Sequence, residues 1–118
     1  MRDLIYEVFK EGEVAILTLI SGNVTMYQTS ELQEAFVILL KEGSKKIVLD
    51  LSRINFMSSV VLASLVFMLK RTKEAGGNLV LCSIKSSKVE EILDITNLNK
   101  VFDIFEDRKK AIDYLTRK

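Results

Sequence analysis

The chain has no histidine, no proline and no tryptophan, and a single cysteine, Cys82, among its 118 residues. Without histidine it lacks the side chain that titrates near neutral pH and the commonest metal ligand. One cysteine allows neither an internal disulfide nor a thiolate metal cluster, and it fits a reducing compartment. A surplus of charge is missing too: 17 basic against 16 acidic residues leave a net charge of +1. Nothing in that balance draws nucleic acid or an anionic membrane. No long apolar run is present. Val60-Val61-Leu62-Ala63 is broken by Ser64 before Leu65 to Leu69, and the whole stretch is about half of a membrane span. The start, Met1-Arg2-Asp3-Leu4-Ile5-Tyr6-Glu7, carries charges where a signal peptide would be apolar. These absences predict a cytoplasmic protein with no cofactor, no metal, no nucleic-acid partner and no membrane partner.

What is present is a regular alternation of elements. Apolar residues make up 48% of the chain, enough for one core, and the length suits a single domain over 1–118. Leu4 to Phe9, a turn at Glu11-Gly12-Glu13, and Val14 to Ile20 read as a hairpin or two consecutive strands. Ser30-Glu31-Leu32-Gln33 has capping-box spacing ahead of Leu32, Ala35, Phe36, Leu39 and Leu40. Gly43 closes that helix. Lys46-Ile47-Val48-Leu49-Asp50-Leu51 has the near-continuous apolar character of a strand covered on both faces. A helix from about Val60 to Ala75 follows, then a stop at Gly76-Gly77-Asn78 and the strand Leu79 to Cys82. Ser87-Lys88-Val89-Glu90 opens another helix through Ile95, Val101 to Phe105 forms a last strand, and Asp107 caps a closing helix that turns Ala111, Ile112 and Leu115 inward. The fold class is therefore α/β: an open mixed sheet of about five strands with about four helices, built from parallel βαβ units.

The most informative segment is Phe56-Met57-Ser58-Ser59-Val60-Val61-Leu62-Ala63. Its serine pair reads first as a helix N-cap. The same place, beyond the carboxyl end of a strand and at a helix start, also suits a phosphate. The helix should turn Leu62, Leu65, Val66 and Leu69 to the sheet. Its opposite side carries Val60, Ser64, Phe67 and Arg71, bordered by Met68. Either another element covers that side, or it is an exposed apolar patch for a protein partner with Arg71 on its rim. Asp50 at a strand end has no second acid, histidine or metal ligand beside it in sequence, and Cys82 reads as a small buried hydrophobe. Nothing assembles a nucleophile, a base and an orienting group, so the chain is expected not to be an enzyme.

These residues resemble a known family. Ile47-Val48-Leu49-Asp50-Leu51-Ser52, followed after four residues by Met57-Ser58-Ser59-Val60-Val61-Leu62, is similar to the central signature of STAS domains, the anti-sigma-factor antagonists. Leu19 to Val24 resembles the family's early turn, Gly77 to Leu81 its strand after the signature helix, and Leu98 to Phe105 with Ala111 its tail. The resemblance implies a domain that binds an anti-sigma factor with serine kinase activity and so frees a sigma factor. The kinase would phosphorylate Ser59, with Ser58 as the alternative acceptor, and a PP2C-type phosphatase would reverse it. Asn23, Thr25, Ser58, Ser59, Val60, Ala63, Ser64, Phe67, Met68 and Arg71 are the implied partner-binding residues, on a monomer or weak dimer. Ser58, Val60 and Val61 replace the family's Asp, Ser/Thr and Gly, and Thr25 replaces the Asp of the early turn. Two other readings stay open: a STAS scaffold that is never phosphorylated, and a small nucleotide- or lipid-binding domain using a pocket near Ser58 and Asn23.

Overall fold

A computed structural model describes residues 6–20 and 26–117. The elements run β1 (Tyr6–Glu11), β2 (Val14–Leu19), α1 (Met26–Lys41), β3 (Lys46–Asp50), α2 (Ser59–Glu74), β4 (Asn78–Cys82), α3 (Ser87–Ile95), a single 3-10 turn (Leu98–Lys100), β5 (Ile104–Phe105) and α4 (Arg108–Thr116). They form one five-stranded mixed sheet in the order β1-β2-β3-β4-β5. Only β1 runs antiparallel to its neighbour; β2, β3, β4 and β5 are parallel.

Strand order equals chain order, and parallel crossovers are right-handed. Together these put every crossover helix on the same face of the sheet. Side chains alternate along each strand, and the two cores divide accordingly. Ala15, Leu17, Ile47, Leu49, Leu79 and Leu81 point to the face covered by α1, α2 and α3. Val14, Ile16, Val48, Val80 and Cys82 point to the other face, where Ala111 and Leu115 of α4 meet them. All of β2 and four of the five residues of β3 are buried, as two-sided cover requires.

Four details differ from the sequence pattern. Helix α1 starts at Met26, so Ser30 is an exposed interior residue and its capping-box match is a coincidence of spacing. Helix α3 is capped by Ser86, whose extended backbone lets its Oγ accept the Val89 N–H; Ser87 is the first helical residue. The final strand is only Ile104–Phe105, because Val101 and Phe102 close the 3-10 turn of Leu98–Lys100 instead, both donating to Leu98 O at 3.0 Å. Val66, expected to face the sheet, is 38% exposed; it lies on the turn between the side that meets the sheet and the side toward solvent.

Asp50 also has partners that its sequence surroundings hid. It is the last residue of β3, beside Thr18 of β2. Arg108, the first residue of α4, donates from Nε to Asp50 Oδ2 at 2.6 Å and from Nη2 to Thr18 Oγ1 at 2.6 Å. The Ser52 N–H donates to the other carboxylate oxygen at 2.8 Å. Burial pushes the Asp50 carboxyl up, but the bonds from Arg108 and Ser52 outweigh it and hold the group below its ordinary value of 3.8.

Two predictions follow from this packing. A Cβ at Gly77 would overlap the Lys45 carbonyl oxygen, where the Asn78 N–H donates to the same oxygen at 2.8 Å. Gly77→Ala is expected to cost about 1–3 kcal/mol in urea unfolding, since backbone must shift. Arg108→Ala leaves the buried Asp50 carboxylate short of a donor and is expected to cost about 1–3 kcal/mol, near the lower end because Arg108 is 42% exposed and water reaches the site. A depressed carboxyl pKa stabilises the native state fully above the unfolded value and loses that contribution as pH falls through the folded one. The wild type should therefore lose stability below pH 3.8 more steeply than Arg108→Ala, read from unfolding midpoints across acid pH.

Candidate functional site

The site is built on the loop and helix that follow β3. Leu51, Ile54 and Met57 are each at most 1% exposed, so every third loop residue is pinned into the core and the residues between them are pushed outward. Ile54 N–H donates to Leu51 O at 3.1 Å, which tightens the loop into a turn. Ser86 Oγ donates to the Asn55 carbonyl at 2.9 Å, so the cap of α3 also holds the loop that leads to α2. Sequence reasoning missed Ser86 in this role because its partner lies 31 residues away.

The serine pair divides its labour. Ser58 is extended, with φ −83° and ψ 169°, and its Oγ accepts the Val61 N–H at 3.3 Å. Its carbonyl accepts the Leu62 N–H at 3.0 Å. Ser58 is thus the N-cap, half-buried and engaged. Ser59 is the first helical residue and is exposed. The first turn of α2 has no acidic residue, so the partial positive charge of the helix start is not offset from within that turn.

Helix α2 packs on the sheet beside α1. Val60, Ala63, Phe67 and Arg71 are exposed, as expected for a partner face. Ser64 and Met68 are not: they are 2% and 0% exposed. Gln33 of α1 donates to Ser64 Oγ at 2.9 Å, and Met68 sits beneath the same contact. The expected patch is therefore narrower than the helical spacing implied, because α1 covers one edge of it. The Arg71 guanidinium stacks over the Phe67 ring at 5.7 Å and lies 3.8 Å from Glu74 Oε1, so it is already partly engaged. Asn23 and Thr25 lie outside the described residues.

The structure adds apolar surface on the other flank. Phe56 is 50% exposed and Ile95 70% exposed, and the two line a shallow groove of about 370 Å³ with Ile92, Lys88 and Glu91. The spacing of three that buries Leu51, Ile54 and Met57 and leaves Phe56 outside, and the helical offset of Ile95 from Val89 and Leu93, are the sequence signals that could have found them. A larger cavity of about 590 Å³ opens at the opposite end of the sheet, among Lys45, Lys46, Gly77, Tyr114 and Arg117. It lies where α1, α2 and α4 end, so their C-terminal dipoles offset those cations.

Among the described residues no cluster of three or more His, Cys, Asp or Glu could hold a metal ion, and no helix is long and apolar enough to cross a membrane. Burial pushes the Cys82 thiol up, which leaves it less of a nucleophile. What remains is an exposed serine, Ser59, at a helix start that Ser58 caps with a neutral hydroxyl, flanked by exposed Phe56 and Val60. That arrangement is the surface of a protein-binding module.

Comparison with known proteins agrees with this class. The STAS domain model matches residues 7–111. A protein of Bordetella bronchiseptica named as a candidate anti-sigma factor antagonist is 26% identical over 81% of this chain and 82% of its own length. One from Thermotoga maritima with the same description is 34% identical over 67% of this chain and 69% of its own. A crystal structure of a Thermotoga maritima protein, also described as a candidate anti-sigma factor antagonist, superposes with a TM-score of 0.87 at 26% identity and covers 95% of both chains. The phosphorylated form of the Bacillus cell fate determinant SpoIIAA shares the fold, with a TM-score of 0.73, at 13% identity over 92% of this chain and 97% of its own. The chain belongs to the STAS domain family.

The division of roles between the two serines is directly testable. Ser58→Ala should cost about 1 kcal/mol of stability through the lost cap, while Ser59→Ala should stay within about 0.5 kcal/mol of wild type, both read by urea unfolding.

Proposed function

We propose that the chain is an anti-sigma-factor antagonist: a single cytoplasmic STAS domain that acts by binding an anti-sigma factor and performs no catalysis itself. The observation that carries the reading is the position of Ser59. Its hydroxyl is exposed at the first turn of α2, its neighbour Ser58 already occupies the cap, and Val60 and Phe56 stand exposed within a few residues along the chain. Relatives named as anti-sigma factor antagonists support it.

In this reading the partner is a serine kinase as well as an anti-sigma factor, and Ser59 rather than Ser58 is the residue it phosphorylates. Modifying Ser58 would break the cap, whereas a phosphate on Ser59 meets free N–H groups and the positive end of the helix. Phosphorylation adds about −1.5 to −2 charges. The helix start tolerates them, but an apolar or acidic partner surface pressed against Val60, Ala63 and Phe67 would not. Binding is thereby switched by surface charge with little backbone change, and a PP2C-type phosphatase restores the binding form.

The test is a capture experiment with wild type, Ser59→Ala and Ser59→Asp as baits, the retained proteins being identified by mass spectrometry. A histidine-kinase-like ATPase should be held by wild type and Ser59→Ala, and Ser59→Asp should bind it at least about tenfold more weakly, a difference of about 1.4 kcal/mol. The purified ATPase should transfer phosphate from ATP to wild type and not to Ser59→Ala. Equal binding by all three baits would reject the switch and leave a constitutive scaffold.

A further inference from the structure

Strand β1 is one edge of the sheet, and the middle of that edge is apolar. Val8 is 43% and Phe9 55% exposed. Helix α4 packs on β2, β3, β4 and β5, and the β1 end of its face is left as an open groove between Phe9, Ile16 and Ile112. The outward backbone groups of a six-residue edge strand are a template for another strand. We propose that the occupant of this edge is β1 of a second copy, paired antiparallel about a two-fold axis at Val8, which joins two five-stranded sheets into one continuous sheet.

The register follows from the pleat and the charges. A two-fold axis that joins like edges keeps each face of the sheet on its own side, so facing residues must come from the same face. Tyr6, Val8 and Lys10 face the side of Leu17 and Leu19, and Glu7, Phe9 and Glu11 face the side of Ile16. The axis must then pass through a residue. At Glu7 or Glu11 it sets a carboxylate against itself, and at Lys10 it sets two ammonium groups together. At Phe9 it places Glu7 opposite Glu11 twice, and like charges directly opposite are destabilising. At Tyr6 most of the pairing would fall on residues before β1. Centred on Val8, Tyr6 faces Lys10, Glu7 faces Phe9, and Val8 faces its own copy, so no like charges of β1 stand directly opposite and the two Glu7 carboxylates meet only on the wider diagonal.

That register also completes local interactions. Among the described residues Lys10 pairs with Glu42 at 3.5 Å, with both side chains more than half exposed, a pair of little energy. In the dimer its ammonium lies beside the partner's Tyr6 ring, where cation–π attraction is available. The two Phe9 rings become diagonal neighbours over the open flank of the α4 face, within the reach of aromatic side chains. Charges on an edge strand ordinarily oppose pairing with other chains; here Glu7, Lys10 and Glu11 act as the selector that permits one register. The paired surface is small, so the dimer is weak and concentration-dependent. The inference does not rest on the role of Ser59.

The experiment is a cysteine scan of the edge in the full chain; Cys82, fully buried, stays in place. Val8→Cys sets two Cβ atoms directly opposite, about 4.5–5.5 Å apart, whereas Glu7→Cys and Phe9→Cys set their pairs diagonally at about 7–8 Å. Under mild oxidation Val8→Cys should form a disulfide-linked dimer at least about tenfold faster than either neighbour, since only its Cβ spacing approaches that of a disulfide. Sedimentation of the wild type should show mass rising with concentration through the micromolar to millimolar range. Val8→Lys should weaken that association at least about tenfold while keeping the wild-type unfolding midpoint, because it sets two ammonium groups on the axis. Equal cross-linking at the three positions, or fastest cross-linking at Glu7 or Phe9, overturns the register. A wild type that stays monomeric at millimolar concentration overturns the dimer.

Discussion

The handedness of the crossovers governs this molecule. With β2, β3, β4 and β5 laid down in chain order, right-handed connections leave no choice about where α1, α2 and α3 go. All three crowd one face, and the other face depends on whatever comes last. A single nine-residue helix, α4, has that task. Its Ala111 and Leu115 supply the cover, and the Arg108 bonds to Asp50 and Thr18 fix where its first turn sits. The unequal distribution explains the rest: a thick face where α1 closes over Ser64 and Met68, and a thin face that runs out before it reaches β1.

The crowding of the thick face also shapes the candidate site. Helix α2 packs on the sheet beside α1, and the side it leaves free carries Ser59, Val60, Ala63, Val66, Phe67 and Arg71. The loop before it is fixed from below by Ile54 and Met57 and from the side by Ser86. A rigid mount of this kind suits a surface read by a partner, since little ordering entropy is lost on binding.

Much of this was legible in the sequence, and the boundary of what was legible is physical. The strands of the core were clear because Ile47 to Leu51 and Leu79 to Cys82 are nearly uninterrupted apolar runs bounded by Gly43 and Gly76-Gly77. The serine pair stood out because cap chemistry is local. What failed was whatever depends on contacts distant in sequence. Whether Ser64 and Met68 were covered stayed open in the sequence because a helical wheel holds no information about α1. Asp50 looked solitary because Arg108 is 58 residues away. Ser87 looked like the cap because Glu90 stands three residues on, and only the Val89 N–H bond to Ser86 Oγ and the Ser86 bond to Asn55 show that Ser86 ends the loop. Phe56 and Ile95 come from different elements and make a groove only once α3 is laid beside the loop.

A hydroxyl, not a carboxylate, closes the start of α2 at Ser58. A short neutral cap satisfies a backbone donor without bringing a fixed charge, and the first turn carries no acid to take its place. The helix start therefore keeps its full positive potential in the resting chain. Whatever negative charge comes there arrives from outside, as a bonded group or as part of a neighbour. Such a terminus has a wider electrostatic range between its two extremes than one whose cap is already an anion, and a listener tuned to potential has correspondingly more to hear.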